Sequence, residues 1–337
     1  MDSKFRIAVI SHSLVHPRQQ IFFKDLTNKF DVQILALGPR WWNNQTMNDL
    51  TEGNYQQFGF PCSNRGFMNL YFLLQTEDRL KEFKPHIIYC QAELWTKQAE
   101  RAMFMSQSLK AKLVYFVWEN VRPYTEKEAH LASYASMIIC GNKDAEALLK
   151  KAKYERTIIL PQVGISETLF KSTPEVKKEW DVLYTGRPAL EKGIDMITKA
   201  CQQLGLSFEI VTGKTYFELP EIYNKARIFC SFPIDTPLWK EQSGSYTNIE
   251  AQACKIPVVT SDAGAIPEYL KDTAIICKQG DIEDLKKGLL DARDKQDLIT
   301  ENIEAGYRNF TENYSNSAVA KKLYDNLKQI MSVKDFF

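Results

Sequence analysis

Short runs of β-branched and other apolar residues recur along the chain, and between them the apolar positions spread to helical spacing. In the first half the runs fall at residues 7–11, 32–37, 87–90, 113–117, 137–140 and 157–160. Between the first two, residues 17–30 place Ile21, Phe22, Leu26 and Phe30 on one face, and Pro17 suits a first helical turn. Residues 143–151 read as another amphipathic helix. A second series starts at Val182 and continues through 208–211, 228–232, 257–260 and 274–277. Strands alternating with helices predict βα units and parallel sheets, here two open, doubly wound ones. A last helix is predicted over 318–331, free by its sequence to pack across either domain.

The polar, aperiodic stretch 171–180, which contains Pro174, reads as a linker. The expected organisation is a Rossmann-like domain over 1–170, the linker 171–180, a second Rossmann-like domain over 181–315 and a terminal helical segment over 316–337. Two domains also suit 337 residues, a length beyond which a single core stops growing. Facing each other, two such sheets would present their C-terminal strand ends to a central cleft, where ligands of open α/β sheets bind.

Composition narrows the function classes. Apolar residues at 44% and charged residues at 25% are ordinary for a globular protein, and a net charge of +1 argues against a general nucleic-acid binder. The seven cysteines contain no C-x-x-C pair, so neither a disulfide framework nor a zinc site is expected, and a reducing cytoplasm is the simplest setting. The N-terminus passes into an apolar run too short for a signal sequence or a membrane span.

Two constellations carry chemistry. In the first, Tyr184-Thr185-Gly186-Arg187 ends a strand, Gly186 permits a sharp turn, and a helix begins near Lys192. Arg187 and Lys192 can then converge on a diphosphate, one as a planar fork and the other as a mobile point charge; two solvated surface cations are the plainer alternative. The second runs from Trp239 to Ala251. Gly244 and Ser245 open a helix through Tyr246 and Thr247 whose free N–H groups suit an anion. Glu250 follows, where its carboxylate can accept from a vicinal diol such as ribose.

Tyr-Thr-Gly-Arg-x4-Lys-Gly-Ile-Asp, then Trp-Lys-Glu-Gln-x-Gly, Glu-Ala-x-Ala-Cys-x-Ile-Pro-Val-Val-Thr-Ser and Gly-Ala-Ile-Pro-Glu form an ordered set that resembles the retaining glycosyltransferases of family 4. The resemblance implies a GT-B fold, a nucleoside diphosphate sugar donor and transfer with retention. It also implies that Arg187 and Lys192 bind the diphosphate and that Glu250, as the second Glu of an E-x7-E pattern, binds ribose. The first Glu of that pattern touches the sugar; eight back from Glu250 stands Gln242 and nine back Glu241, and the Trp-Lys-Glu-Gln phase favours Glu241. The segment between Val211 and Ile222 is shorter than the family's, which trims the region expected to hold the donor base. The expected partners are the nucleotide-sugar donor and a glycan or glycolipid acceptor, with no nucleic acid.

No D-x-D occurs, so no metal and no cofactor beyond the donor is expected. Past the first strand, Ser11-His12-Ser13 stands where the family often has a Gly-Gly loop. Ser11, His12 and His16 are candidates for the cleft, and Glu119, flanked by Trp118 and Asn120, is preferred to Glu93 as an acceptor-side carboxylate. Arg79, Lys81, Lys84, Lys97, Arg101, Lys110 and Lys112 surround Met103, Phe104 and Met105, which leaves peripheral contact with a cytoplasmic membrane face open; a helix whose Met and Phe fill the core is the favoured reading. A nucleotide-sugar epimerase and a non-catalytic sugar-nucleotide binder are the rival functions.

Overall fold

The computed structural model describes residues 4–64, 67–243 and 245–332. The chain divides into two compact units, residues 1–164 with 319–337, and residues 165–318.

In unit 1 the order is β1 (Phe5–Ser11), α1 (Pro17–Lys29), β2 (Val32–Pro39), β3 (Trp41–Trp42), β4 (Gln45–Thr46), β5 (Leu50–Glu52), β6 (Tyr55–Phe60), β7 (Cys62–Ser63), β8 (Phe72–Leu73), α2 (Glu77–Phe83) and β9 (Ile87–Gln91). It continues with α3 (Lys97–Leu109), β10 (Lys112–Val117), α4 (Glu126–Ser133), β11 (Met137–Cys140), α5 (Lys143–Lys151) and β12 (Thr157–Ile159). The main sheet has the order β12-β11-β10-β9-β1-β2-β6-β5, parallel except for the β5–β6 hairpin. The chain winds outward from β1 in both directions, so the topological switch point lies beside β1 and β9.

Two strands of this sheet, β5 and β6, escape the sequence pattern. In β6 the inward positions are Tyr55, Gln57 and Gly59, so a glutamine stands where an apolar residue is expected. Gln57 is buried because its amide is satisfied: Tyr55 Oη donates to Oε1 at 2.9 Å and Nε2 donates to the Asn48 carbonyl at 2.7 Å.

Unit 2 runs β13 (Trp180–Thr185), α6 (Ile194–Leu204), β14 (Phe208–Val211), α7 (Leu219–Asn224), β15 (Ala226–Ser231), α8 (Tyr246–Ala253), β16 (Val258–Ser261), α9 (Ile266–Leu270), β17 (Ile275–Cys277), α10 (Ile282–Asp294) and α11 (Gln296–Asn309). Its all-parallel sheet has the order β14-β13-β15-β16-β17, with the switch point between β13 and β15. Val182, Tyr184, Ile228, Cys230 and Val259 pack with Ile197 and Cys201 of α6 and Leu285 and Leu289 of α10. Among the described residues only α7 stands between β14 and β15, which accounts for the short segment after Val211.

Residues 171–180 are not a free tether. They belong to unit 2, where Asn224 gathers them: Oδ1 accepts from the Thr173 N–H at 2.8 Å, Nδ2 donates to the Lys171 carbonyl at 3.0 Å, and the Asn224 carbonyl accepts from Lys178 Nζ at 2.9 Å. The last helix, α12 (Asn316–Ser332), belongs to unit 1 from Val319 onward, where Tyr324 stacks on Phe30 at 4.6 Å and meets Phe5 edge-on at 6.2 Å.

Candidate functional site

The constellation of unit 2 gathers at its switch point. After β13, Gly186 turns the backbone at φ +144°, and Tyr184 Oη donates to the Arg187 carbonyl at 3.0 Å, fixing the turn. Burial, with the charge of Glu241, pushes the Tyr184 phenol up to about 12, so it remains a donor at neutral pH. A single 3-10 turn, Leu190–Lys192, leads to Gly193 at φ +63°, where an added Cβ would lie 2.0 Å from the Phe232 carbonyl oxygen. Glycine is therefore required for the loop after β13 to lie against the loop after β15, and the Ile234 N–H donating to the Glu191 carbonyl at 2.9 Å ties the two together.

That close approach delivers Lys192 to Glu241. Lys192 Nζ lies 2.7 Å from Glu241 Oε2 and 4.7 Å from the centre of the Trp239 ring, so the ammonium is held by a carboxylate and an aromatic face together. The side chains are 22% and 9% exposed, which limits screening of the pair. Arg187, by contrast, is 72% exposed and reaches Glu191 at 3.3 Å. Each cation expected at a diphosphate is thus held by a carboxylate of the chain itself.

Glu241 is fixed through its backbone. Its N–H donates to Asp235 Oδ1 at 3.2 Å and its carbonyl accepts from the Ala265 N–H at 2.9 Å. Asp235 Oδ2 accepts from the Gly264 N–H at 2.9 Å, and Gln279 Oε1 accepts from the Asp235 N–H at 2.8 Å. Asp235 so clamps the loops that follow β15, β16 and β17. Gln242 follows, half-buried.

Helix α8 begins at Tyr246, as expected, after Ser245 at φ +55°, a conformation strained for a residue with a side chain. Ser245 Oγ and Thr247 Oγ1 share a hydrogen at 2.7 Å, while Gly244 lies outside the described residues. Asn248, fully buried, accepts from Ser231 Oγ at 2.8 Å and donates to Thr260 Oγ1 at 3.3 Å, which locks the helix onto β15 and β16.

Glu250 lies inside unit 2. It is 0% exposed, and Oε2 accepts from Tyr223 Oη at 2.8 Å; that hydroxyl in turn lies 2.8 Å from Thr185 Oγ1. Ala251, Ala253 and Cys254 beside it are buried as well, so α8 turns this carboxylate inward with them.

In unit 1 the candidates stand where β1, β9 and β10 end. Ser11 is buried and its Oγ accepts from the Ser13 N–H at 3.1 Å, a local cap. His12 packs on Trp42 at 5.6 Å and Tyr71 at 6.1 Å, and burial together with His16 lowers its pKa to about 4, keeping the ring neutral. His16 precedes α1 and is also lowered, by burial and then Arg18, against a hydrogen bond with Gln45. Glu119 Oε1 accepts from the N–H groups of Val121 (3.1 Å) and Arg122 (2.8 Å), so it shapes its own turn. Glu93, the carboxylate passed over, accepts from the Trp118 N–H at 2.6 Å through Oε1, while Oε2 is buried with no hydrogen-bond partner among the described residues. Burial raises its pKa to about 7, and the charge of Glu119 adds to the rise.

The basic helix face is not uniformly basic. Lys81, Arg79, Lys97 and Arg101 pair with Asp78, Glu82, Glu100 and Glu77, and Met103 and Met105 are buried, leaving Phe104 58% exposed. Among the described residues no helix is long and apolar enough to cross a membrane, and no group of three or more His, Cys, Asp or Glu is placed to hold a metal ion.

Trp239 heads the second constellation, but the sequence assigned it no role; Asp235 and Tyr223 act across loops distant in sequence and left no signal.

Comparison with known proteins agrees with this fold. Residues 162–294 match the family model described as glycosyl transferases group 1. No curated protein sequence matches the chain. Among solved structures, sucrose-phosphate synthase from Thermosynechococcus elongatus is similar over 98% of this chain and 100% of its own, with TM-score 0.73 and 13% identity. A glycosyltransferase from Rickettsia africae covers 98% and 100%, with TM-score 0.73 and 14% identity. A structure of Anabaena HepE in complex with UDP-glucose covers 96% and 99%, with TM-score 0.68 and 11% identity. Over residues 162–294 the chain resembles the glycosyl transferases group 1 family, and as a whole it has the GT-B fold, built of two Rossmann-like units.

Proposed function

We propose that the chain is a retaining glycosyltransferase of the family 4 type, which moves a hexose or related sugar from a nucleoside diphosphate sugar to a glycan or lipid-linked glycan. The observation that carries the reading is the meeting of Lys192, Glu241 and Trp239 at the switch point of unit 2, inside the matched segment. The UDP-glucose held by the Anabaena protein of the same fold supports a sugar nucleotide as donor.

In this reading Lys192, with Arg187, stabilises the negative charge that builds on the departing diphosphate, without recourse to a metal. Glu241, rather than Gln242, contacts the sugar, a choice that its pair with Lys192 supports, and the start of α8 with Ser245, Tyr246 and Thr247 lines the phosphate end. The bond between the anomeric carbon and the phosphate oxygen breaks while the acceptor oxygen bonds to that carbon from the same face. The acceptor proton passes to the leaving phosphate oxygen. Of the unit 1 residues, His12, kept neutral, is the one we place toward the acceptor.

A thermal-shift screen with UDP-, GDP- and ADP-sugars tests the reading, since a ligand that binds only the native state raises the melting temperature. A rise with one class supports it, and a flat response to all three counts against it. Incubating the responding donor without acceptor then separates a transferase, which gives only slow hydrolysis, from an epimerase, which gives a new sugar isomer.

A further inference from the structure

The ion pair at the centre of the site poses a problem for the donor. Lys192 cannot neutralise a diphosphate while it neutralises Glu241. One of the two partners must therefore move, and the structure shows which. Glu241 is held at both ends of its peptide unit, by Asp235 Oδ1 on its N–H and by the Ala265 N–H on its carbonyl, and Asp235 is itself anchored to Gly264 and Gln279. Lys192 ends a single 3-10 turn and reaches Glu241 by a flexible four-carbon stem. The ammonium is the mobile partner.

We propose that Glu241 stands in for the donor: it holds Lys192 while no nucleotide is bound, yields it to the diphosphate, and takes sugar hydroxyls in exchange, so that the site favours an intact sugar nucleotide over the spent nucleoside diphosphate. The inference rests on the donor site proposed above. With a bare diphosphate, a carboxylate that is 9% exposed loses the Lys192 ammonium, and losing a buried counterion is costly even with Ser243 Oγ donating to Oε1 at 3.4 Å. Sugar hydroxyls donating to Glu241 offset that cost, because hydrogen bonds to a charged group are the strong ones. After transfer the sugar is gone, Lys192 is drawn back to Glu241, and the diphosphate is released. Trp239 lies under the ammonium in the pair, so its ring also loses the cation when the diphosphate takes it.

The test is titration calorimetry of the wild-type chain, E241Q and E241A with UDP, GDP and ADP, and with the glucose conjugate of each. Both variants remove the charge that competes for Lys192, and the alanine serves if the glutamine perturbs folding. For whichever base binds, both variants should bind the bare diphosphate about tenfold more tightly than wild type. Their preference for the sugar conjugate over the diphosphate should collapse toward one. The gain should vanish in a K192A background, because no cation is then left to release. Bare diphosphate binding that is unchanged or weaker in E241Q and E241A, beside measurable wild-type binding, overturns the exchange and leaves the donor site standing. Wild-type protein that binds none of the six ligands overturns the donor site, and the exchange with it.

Discussion

Replacing Glu93 by Gln should make the protein more stable at alkaline pH and leave it unchanged in acid. Glu93 Oε1 accepts the Trp118 N–H at 2.6 Å, a bond that a carboxamide oxygen preserves, while the buried Oε2 meets no donor among the described residues. Burial raises the carboxyl from 4.5 to about 7. A pKa raised in the folded state contributes stability that is full below the unfolded value and lost as pH rises through the folded one. The window therefore runs from 4.5 to about 7, and the gap corresponds to about 3 kcal/mol. Glutamine carries no charge, so the difference in stability between E93Q and wild type should be near zero at the acid end and grow to about that size by pH 8. For a unit of this size the melting temperatures should separate by roughly 6 to 12 °C. Melting followed by circular dichroism across this range, for both proteins in the same buffers, cancels the remaining titratable groups. Parallel curves would refute the claim that burial holds this carboxyl neutral.

Other substitutions probe the donor unit. Tyr223→Phe removes the hydroxyl that donates to the buried Glu250 and should cost about 1–3 kcal/mol in a denaturant melt, with much of the loss recovered in the Y223F/E250Q double variant. Gly193→Ala forces a Cβ to within 2.0 Å of the Phe232 carbonyl at φ +63°; a loss above roughly 2 kcal/mol is expected, together with loss of nucleotide binding, and a native melting temperature would contradict the geometry. Arg187→Ala should leave stability within about 1 kcal/mol, its pair being exposed, yet cut turnover by orders of magnitude; unchanged turnover would remove Arg187 from the mechanism.

Much of the architecture was legible because apolar periodicity is a backbone-scale signal. The expected helix at 143–151 and strands at 137–140 and 208–211 coincide with α5, β11 and β14, and the other expected strands shift by a residue or two at their ends. The sequence pattern failed where polar side chains satisfy one another inside, as Gln57 does in β6, and where a polar stretch is pinned by a distant amide, as Asn224 pins 171–180. At the candidate site, spacing placed Arg187 and Lys192 after β13 and the α8 helix after β15, as the structure has them. Their present partners were not legible, because Lys192 meets Glu241 across a separation of 49 residues and Tyr223 meets Glu250 across 27. Type and spacing marked Glu250, but its burial against Tyr223 depends on packing that spacing does not show.

The most direct test of the central claim is a crystal structure of the protein with the sugar nucleotide that raises its melting temperature. The account predicts the diphosphate within hydrogen-bond distance of Lys192 Nζ, with Glu241 facing the sugar. A nucleotide bound elsewhere, or a diphosphate in the site with Lys192 still paired to Glu241, would contradict it.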